Sequence, residues 1–212
     1  MKESVLFEAG KYFHVYHHAV GSENLFREHE NYRYFLQRYA DYVAPVVKTY
    51  AYCLMPNHFH LLVQVGEEPD LMTHLSILSE EGRQRPKVLD EQGGILVHDF
   101  VMLQFKHLLN GYTQAYNKRF QRKGSLFLRF LRRKEIEEMD YFFRLVFYLH
   151  HNPVRHGFCV NPGDWPHSSY RAILSEQPTQ LARSDVLAWY GSREAFISSH
   201  QGEADDGVEI AF

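Results

Sequence analysis

Residues 58–65 read His-Phe-His-Leu-Leu-Val-Gln-Val and follow directly on Pro56-Asn57, a pair that suits a turn. Successive side chains of a strand point to opposite faces, so Phe59, Leu61, Val63 and Val65 share one face and His58, His60, Leu62 and Gln64 the other. Two imidazoles two residues apart on one side of a strand converge on one point, which makes half of a site for a metal that takes nitrogen ligands. His-x-His triplets are commonly surface or core histidines, so the pattern needs a second half.

Residues 136–151, Ile-Glu-Glu-Met-Asp-Tyr-Phe-Phe-Arg-Leu-Val-Phe-Tyr-Leu-His-His, supply it. Their period is that of an amphipathic helix, expected to stop near Asn152 because Pro153 disfavours the α region in the residue before it. Tyr148 and Asn152 are four apart and share a face. His151 leans to the same side and competes with Asn152 as third ligand, while His150 points away. In a chain with 14 tyrosines, Tyr148 alone would pass for a buried aromatic. Beside the histidine pair it becomes a candidate nucleophile, with Tyr112 and Tyr116 as rivals on an earlier helix.

These segments resemble the single-tyrosine HUH transposases, in particular the REP-associated tyrosine transposase group. The resemblance rests on Tyr50–Val63, with its Met55-Pro56-Asn57-His58-Phe59-His60, then on Gly124-Ser125-Leu126-Phe127. Tyr148-Leu149-His150-His151-Asn152-Pro153-Val154-Arg155-His156-Gly157 and Asp164-Trp165-Pro166-His167-Ser168-Ser169-Tyr170 follow in the same order. It spans most of residues 10–170, and residues 66–100 look longer than a minimal member needs. The resemblance implies His58 and His60 as metal ligands, Tyr148 as nucleophile and Asn152 completing the metal shell. It also implies a single-stranded or hairpin DNA substrate with palindromic repeats, in a monomer or homodimer.

Such a set has a physical rationale. A phenol with an ordinary pKa of about 10 is a poor nucleophile at neutral pH. A metal polarises the scissile phosphate, neutralises developing charge and orients the leaving 3′-oxygen. The expected product is a 5′-phosphotyrosine and a free 3′-hydroxyl. The implied cofactor is Mg²⁺ or Mn²⁺, and imidazole with carboxamide suits Mn²⁺ better.

The net charge of −3 argues at first against a nucleic-acid partner, but its distribution reverses that. Lys118, Arg119, Arg122, Lys123, Arg129, Arg132, Arg133 and Lys134 crowd one stretch, interleaved with Phe120, Phe127 and Phe130. Such a segment can contact phosphates and stack bases, or can be a solvated hairpin whose aromatics are core. Cys53 and Cys159 offer no metal spacing. No segment is apolar enough for a membrane span and no signal peptide is evident, so the expectation is a cytoplasmic protein, nucleoid-associated in a prokaryote.

The expected fold is α+β, an antiparallel sheet of the ferredoxin-like/HUH type with helices packed on it. Strands are expected at 11–20, 46–55, 58–66 and 125–134. Helices are expected at 23–43 (starting near Ser22), 71–79, 97–119 and over the Tyr148 segment. The His14, His17 and His18 side chains are expected to be ordinary strand residues. Residues 1–170 would form the HUH domain. Residues 171–212 would form a helical extension, with an N-cap at Ser184, a stop at Gly191, a short helix over 192–199 and a mobile acidic tail from Gly202. Three functions fit: a DNA strand transferase, a domesticated sequence-specific DNA-binding protein without recombination activity, and a metal-dependent phosphoesterase. The third would want more carboxylates beside the histidine pair.

Overall fold

The computed structural model describes residues 5–80 and 88–202. Four strands, β1 (Tyr12–His18), β2 (Val47–Met55), β3 (His58–Val65) and β4 (Arg132–Ile136), form one antiparallel sheet in the order β2-β3-β1-β4. Helix α1 (His29–Tyr42) lies between β1 and β2. Helices α2 (Glu68–Glu80) and α3 (Val97–Arg119) lie between β3 and β4, and α4 (Met139–Arg155) follows β4. The short helices α5 (Tyr170–Leu174), α6 (Arg183–Tyr190) and α7 (Arg193–Ser199) complete an α+β architecture of the expected type.

The alternation in β3 divides the core in two. Phe59, Leu61, Val63 and Val65 pack with Phe35 of α1 and with Phe100, Phe105 and Tyr112 of α3. Leu62 packs on the opposite face with Leu145, Val146 and Leu149 of α4, and Ile173, Val186 and Phe196 of α5–α7 join that same cluster. A bulge between Thr49 and Ala51 shifts the β2 register, so that both Tyr50 and Ala51 turn toward α4.

Several boundaries differ from expectation. Helix α1 begins at His29 rather than near Ser22. Leu25 and Phe26 are buried in the segment before it, and the Asn31 side-chain oxygen caps the Arg27 and Glu28 amides. Residues 125–131 are not a regular strand. Leu126 and Phe127 are consecutive and both buried, and the segment crosses the end of β1 through Val20 N–H to Leu126 O and Leu128 N–H to His18 O.

Helix α4 does not stop at Asn152 but runs to Arg155 with Pro153 inside its last turn. Its terminator is Gly157, in the left-handed region at φ +72°. Gly157 N–H bonds Val154 O and Phe158 N–H bonds Pro153 O, the paired closure of a Schellman motif. Similarly α6 starts at Arg183, not after a Ser184 cap, although Gly191 ends it and Ser192 caps α7 as expected. The tail beyond Gly202 lies outside the described residues.

Candidate functional site

His58 and His60 project from the same face of β3, with ring centroids 5.0 Å apart, toward α4. Both are buried. The Tyr148 ring meets His60 edge to face at 5.6 Å, and Asn152, one turn on, brings Oδ1 to 3.1 Å from His58 Nε2. The two histidines, Tyr148 and Asn152 therefore come together within one chain. Because α4 passes through Pro153 unbroken, Arg155 joins this face and lays its guanidinium 5.1 Å from the centre of the Tyr148 ring.

The β1 strand contributes residues that sequence reasoning left as ordinary. His14 and His18 share the face of Tyr16, opposite Phe13 and Val15. His14 Nε2 lies 3.0 Å from His60 Nδ1, and the His18 ring stacks on His58 at 5.6 Å. His156, just past α4, approaches His58 at 5.5 Å. The same-parity spacing of His14 and His18 was a visible signal, but only the pairing of β1 with β3 aligns it with His58 and His60.

Burial sets the electrostatics. It lowers the His58 pKa to about 4 against the raising effect of the Asn152 hydrogen bond, lowers His14 to about 3, and holds His60 well below its ordinary value. All three are neutral near pH 7, the state in which imidazole binds metal. Burial raises the Tyr148 pKa, while Arg155 and a hydrogen bond with Asn152 act in the opposite direction.

The donor set can be tested for a metal. The neutral His58 ring can donate to only one of its two carbonyl neighbours, Asn152 Oδ1 at Nε2 or Asn57 Oδ1 at Nδ1, 2.8 Å away, and donation to Asn57 frees the Nε2 lone pair beside Asn152 for an ion. Two acceptors 3.1 Å apart have the spacing of neighbouring ligands about 2.1 Å from one octahedral cation, on the order of 3.0 Å. With Nδ1 of His60 engaged by His14, Nε2 is the His60 nitrogen that would serve an ion. That spacing, with the neutral-donor chemistry of imidazole and carboxamide, is compatible with a divalent cation. Among the described residues, no group of three or more His, Cys, Asp or Glu is disposed to hold a metal.

Other candidates fall elsewhere. The Tyr112 and Tyr116 hydroxyls donate to Leu25 O and Asn24 O in the core on the far side of the sheet. His151 stacks on Phe147 at 3.8 Å and bonds Phe147 O, toward α7 rather than toward His58. His150 accepts from Ser169 Oγ at 2.8 Å and donates to His200 Nε2 at 2.9 Å, while His200 Nδ1–H bonds Phe196 O at 2.8 Å. This buried relay ties α4 to the C-terminal helices. Trp165 packs against the same cluster, its Nε1–H bonding Leu54 O at 3.0 Å.

The basic stretch divides. Arg119 pairs with Glu28 at 2.8 Å. Arg122 is half-buried, paired with Glu23 at 2.9 Å and bonded to Asn117, Gly124 O and Ser125 O, so it clamps a turn. Arg133 is half-buried over the Phe7 ring and bonds Val5 O. Alternation in β4 puts Arg132 opposite Tyr16 and Lys134 opposite His14, on the face of the histidines, and both are exposed. Lys118, Lys123 and Arg129 are also exposed. Among the described residues, no helix is long and apolar enough to cross a membrane.

No family model and no curated protein matches the chain. A solved structure of a REP-associated tyrosine transposase bound to a REP hairpin is similar in fold, with a TM-score of 0.58 at 14% identity. The alignment covers 86% of this chain and 91% of that one.

Proposed function

We propose that this chain is a single-tyrosine DNA strand transferase acting on single-stranded DNA that carries a hairpin. The observation that carries the reading is that Tyr148 packs on His60 while Asn152, one turn further along α4, meets His58. A tyrosine against two neutral imidazoles and a carboxamide is an arrangement for attack on a phosphodiester. The hairpin-bound transposase of like fold supports the choice of DNA substrate.

In the forward step the Tyr148 Oη–P bond forms as the P–O3′ bond breaks, and the phenolic proton passes to the leaving oxygen to give a free 3′-hydroxyl. The reverse reaction, with another 3′-hydroxyl, rejoins a strand, so no nucleotide cofactor is consumed. Arg155 favours the developing phenolate, and its exposed side chain is positioned for a phosphate oxygen. Asn152 also favours the ionised tyrosine through a hydrogen bond. Arg132 and Lys134 give the incoming strand an electropositive edge. A divalent ion held by His58, His60 and Asn152, with Mn²⁺ better suited than Mg²⁺, would supply charge neutralisation at the phosphate.

The absence of a carboxylate cluster among the described residues weighs against a two-metal phosphoesterase. Incubation with hairpin-bearing single strands from the gene's own flanks and Mn²⁺ tests the reading. The expected result is a denaturation-resistant adduct through the DNA 5′-phosphate. Tight binding without any adduct would favour a DNA-binding protein that has lost recombination.

A further inference from the structure

Behind β1, on the sheet face opposite Tyr148, a cleft of about 700 Å³ opens between α3 and residues 125–131. Its walls are apolar, with Leu103 and Leu109 of α3 only half covered and Leu128 exposed. Both leucines pack against the core cluster on one side and line the cleft on the other. A buried polar group also lines the cleft. His17 is only 3% exposed, its ring stacks on Phe127 at 5.2 Å and 7°, and its Nδ1 has no hydrogen-bond partner among the described residues. Among the described residues no hydrogen bond at Nδ1 fixes its tautomer. At the rim, exposed Lys106 and Arg129 outnumber the single acid, Asp99.

We propose that this cleft is a second DNA subsite, which takes one unpaired base of the bound strand between α3 and Leu128 and sets its phosphate against Lys106 or Arg129. The inference rests on the DNA-strand reading of the Tyr148 site. Apolar walls with a few converging polar groups are what a planar heterocycle needs, and a cationic rim is what its phosphate needs. A route joins the two sites. β4 is the edge strand, Arg132 and Lys134 lie on its Tyr148 side, and Arg129 leads to the cleft. Passing one strand and one layer covers on the order of 15 Å, about four stacked nucleotides at roughly 3.4 Å each. His18 faces the catalytic group while its neighbour His17 faces the cleft, so β1 couples the two.

The test is a scan of single abasic sites along a hairpin-bearing strand, with affinity measured by fluorescence anisotropy. One position a few nucleotides from the cleavage point should lose about tenfold in affinity. With Thr113→Trp, which fills the cleft from the surface of α3, the intact strand should bind as weakly as that abasic strand and the position should become indifferent. His17→Phe keeps the ring and its stacking, and should flatten the preference among the four bases there. It keeps the proposal open to refutation if Thr113→Trp fails to fold. A flat scan with wild-type protein that still forms the Tyr148 adduct overturns the cleft alone, as does a sensitive position that Thr113→Trp leaves unchanged. Failure of the wild type to bind any single strand overturns both readings.

Discussion

His58 Nε2 and Asn152 Oδ1 lie 3.1 Å apart, although 94 residues separate them in sequence. One sits on the first residue pair of a hairpin, opposite Met55, and the other in the last turn of a helix. Their meeting sets the depth at which α4 crosses the sheet, and with it the contact of Tyr148 with His60. On the proposed reading the site therefore depends also on residues that hold its rings and helix in register.

His14 is the first of these. On the proposed reading His60 Nδ1–H donates to His14 Nε2, which leaves the His60 Nε2 lone pair for an ion. His14→Phe keeps the ring and removes the acceptor, and should weaken Mn²⁺ binding about 10- to 100-fold, read by electron paramagnetic resonance of free Mn²⁺. His14→Gln, whose carbonyl can accept the same proton, should recover part of the loss. Equal Mn²⁺ affinity in His14→Phe and wild type would leave His14 as a core residue only.

What the sequence made legible follows from period. The α3 bounds of 97–119, the hairpin around Pro56-Asn57 and the shared face of His58 and His60 all come from alternation or helical spacing, which are local. The roles of His14 and His18 needed the β1–β3 register, a long-range pairing. The separation of Arg132 from Arg133 needed the start of β4, hidden because Leu126 and Phe127 break the alternation upstream. Pro153 misled about the helix end, since the helix continues through it to Arg155 and is closed by the Gly157 motif instead.

That separation within β4 can be measured. Replacing Arg132 and Lys134 together with Ala should weaken single-stranded DNA binding and reduce its salt slope by about 1.4, roughly 0.7 for each lost phosphate contact. Arg133→Ala should leave the slope alone and instead lower stability by about 1 kcal/mol, through the lost contact with Phe7. Equal effects of the two variants on the slope would contradict the face assignment.

Gly157 rather than Pro153 should control the end of α4. A β-carbon there meets nothing within 4 Å, so the cost of Gly157→Ala is conformational, about 1–2 kcal/mol for holding φ at +72°. Chemical denaturation reads this directly. Pro153→Ala should change stability less, and a larger loss from Pro153→Ala would reverse the assignment.

Acid should unfold the protein through its buried histidines. Burial lowers both His17 and His200 to about 4, below the ordinary 6.5 of the unfolded chain. Between those values the unfolded state binds more protons, so stability is fully present above pH 6.5 and is lost as pH falls toward 4. Each such group contributes a slope of about 1.4 kcal/mol per pH unit in that window. Urea unfolding at pH 7, 6 and 5 should show the decline, and His200→Gln should reduce the slope by about one group's share while costing stability at pH 7. A stability profile flat from pH 7 to 5 would mean that these rings are not held neutral.

The chemical prediction rests on Tyr148. Tyr148→Phe removes the attacking oxygen and almost no volume, and the ring's contact with His60 and Arg155 can persist. DNA affinity should therefore stay within about twofold of wild type, a change under roughly 0.5 kcal/mol, while the covalent adduct disappears on denaturing gels. Asn152→Ala should slow adduct formation and also raise the Mn²⁺ requirement, since the carboxamide serves both the tyrosine and His58. Arg155→Ala should slow the reaction by a constant factor at and below neutral pH, with the deficit shrinking only as pH rises toward the range where the phenol ionises, because the phenol loses the charge that favours its ionisation. Tyr112 and Tyr116 donate into the core, so their Phe variants should cost stability and leave the adduct intact. An adduct that survives in Tyr148→Phe would place the nucleophile elsewhere and remove the reason for α4 to meet β3 at His60.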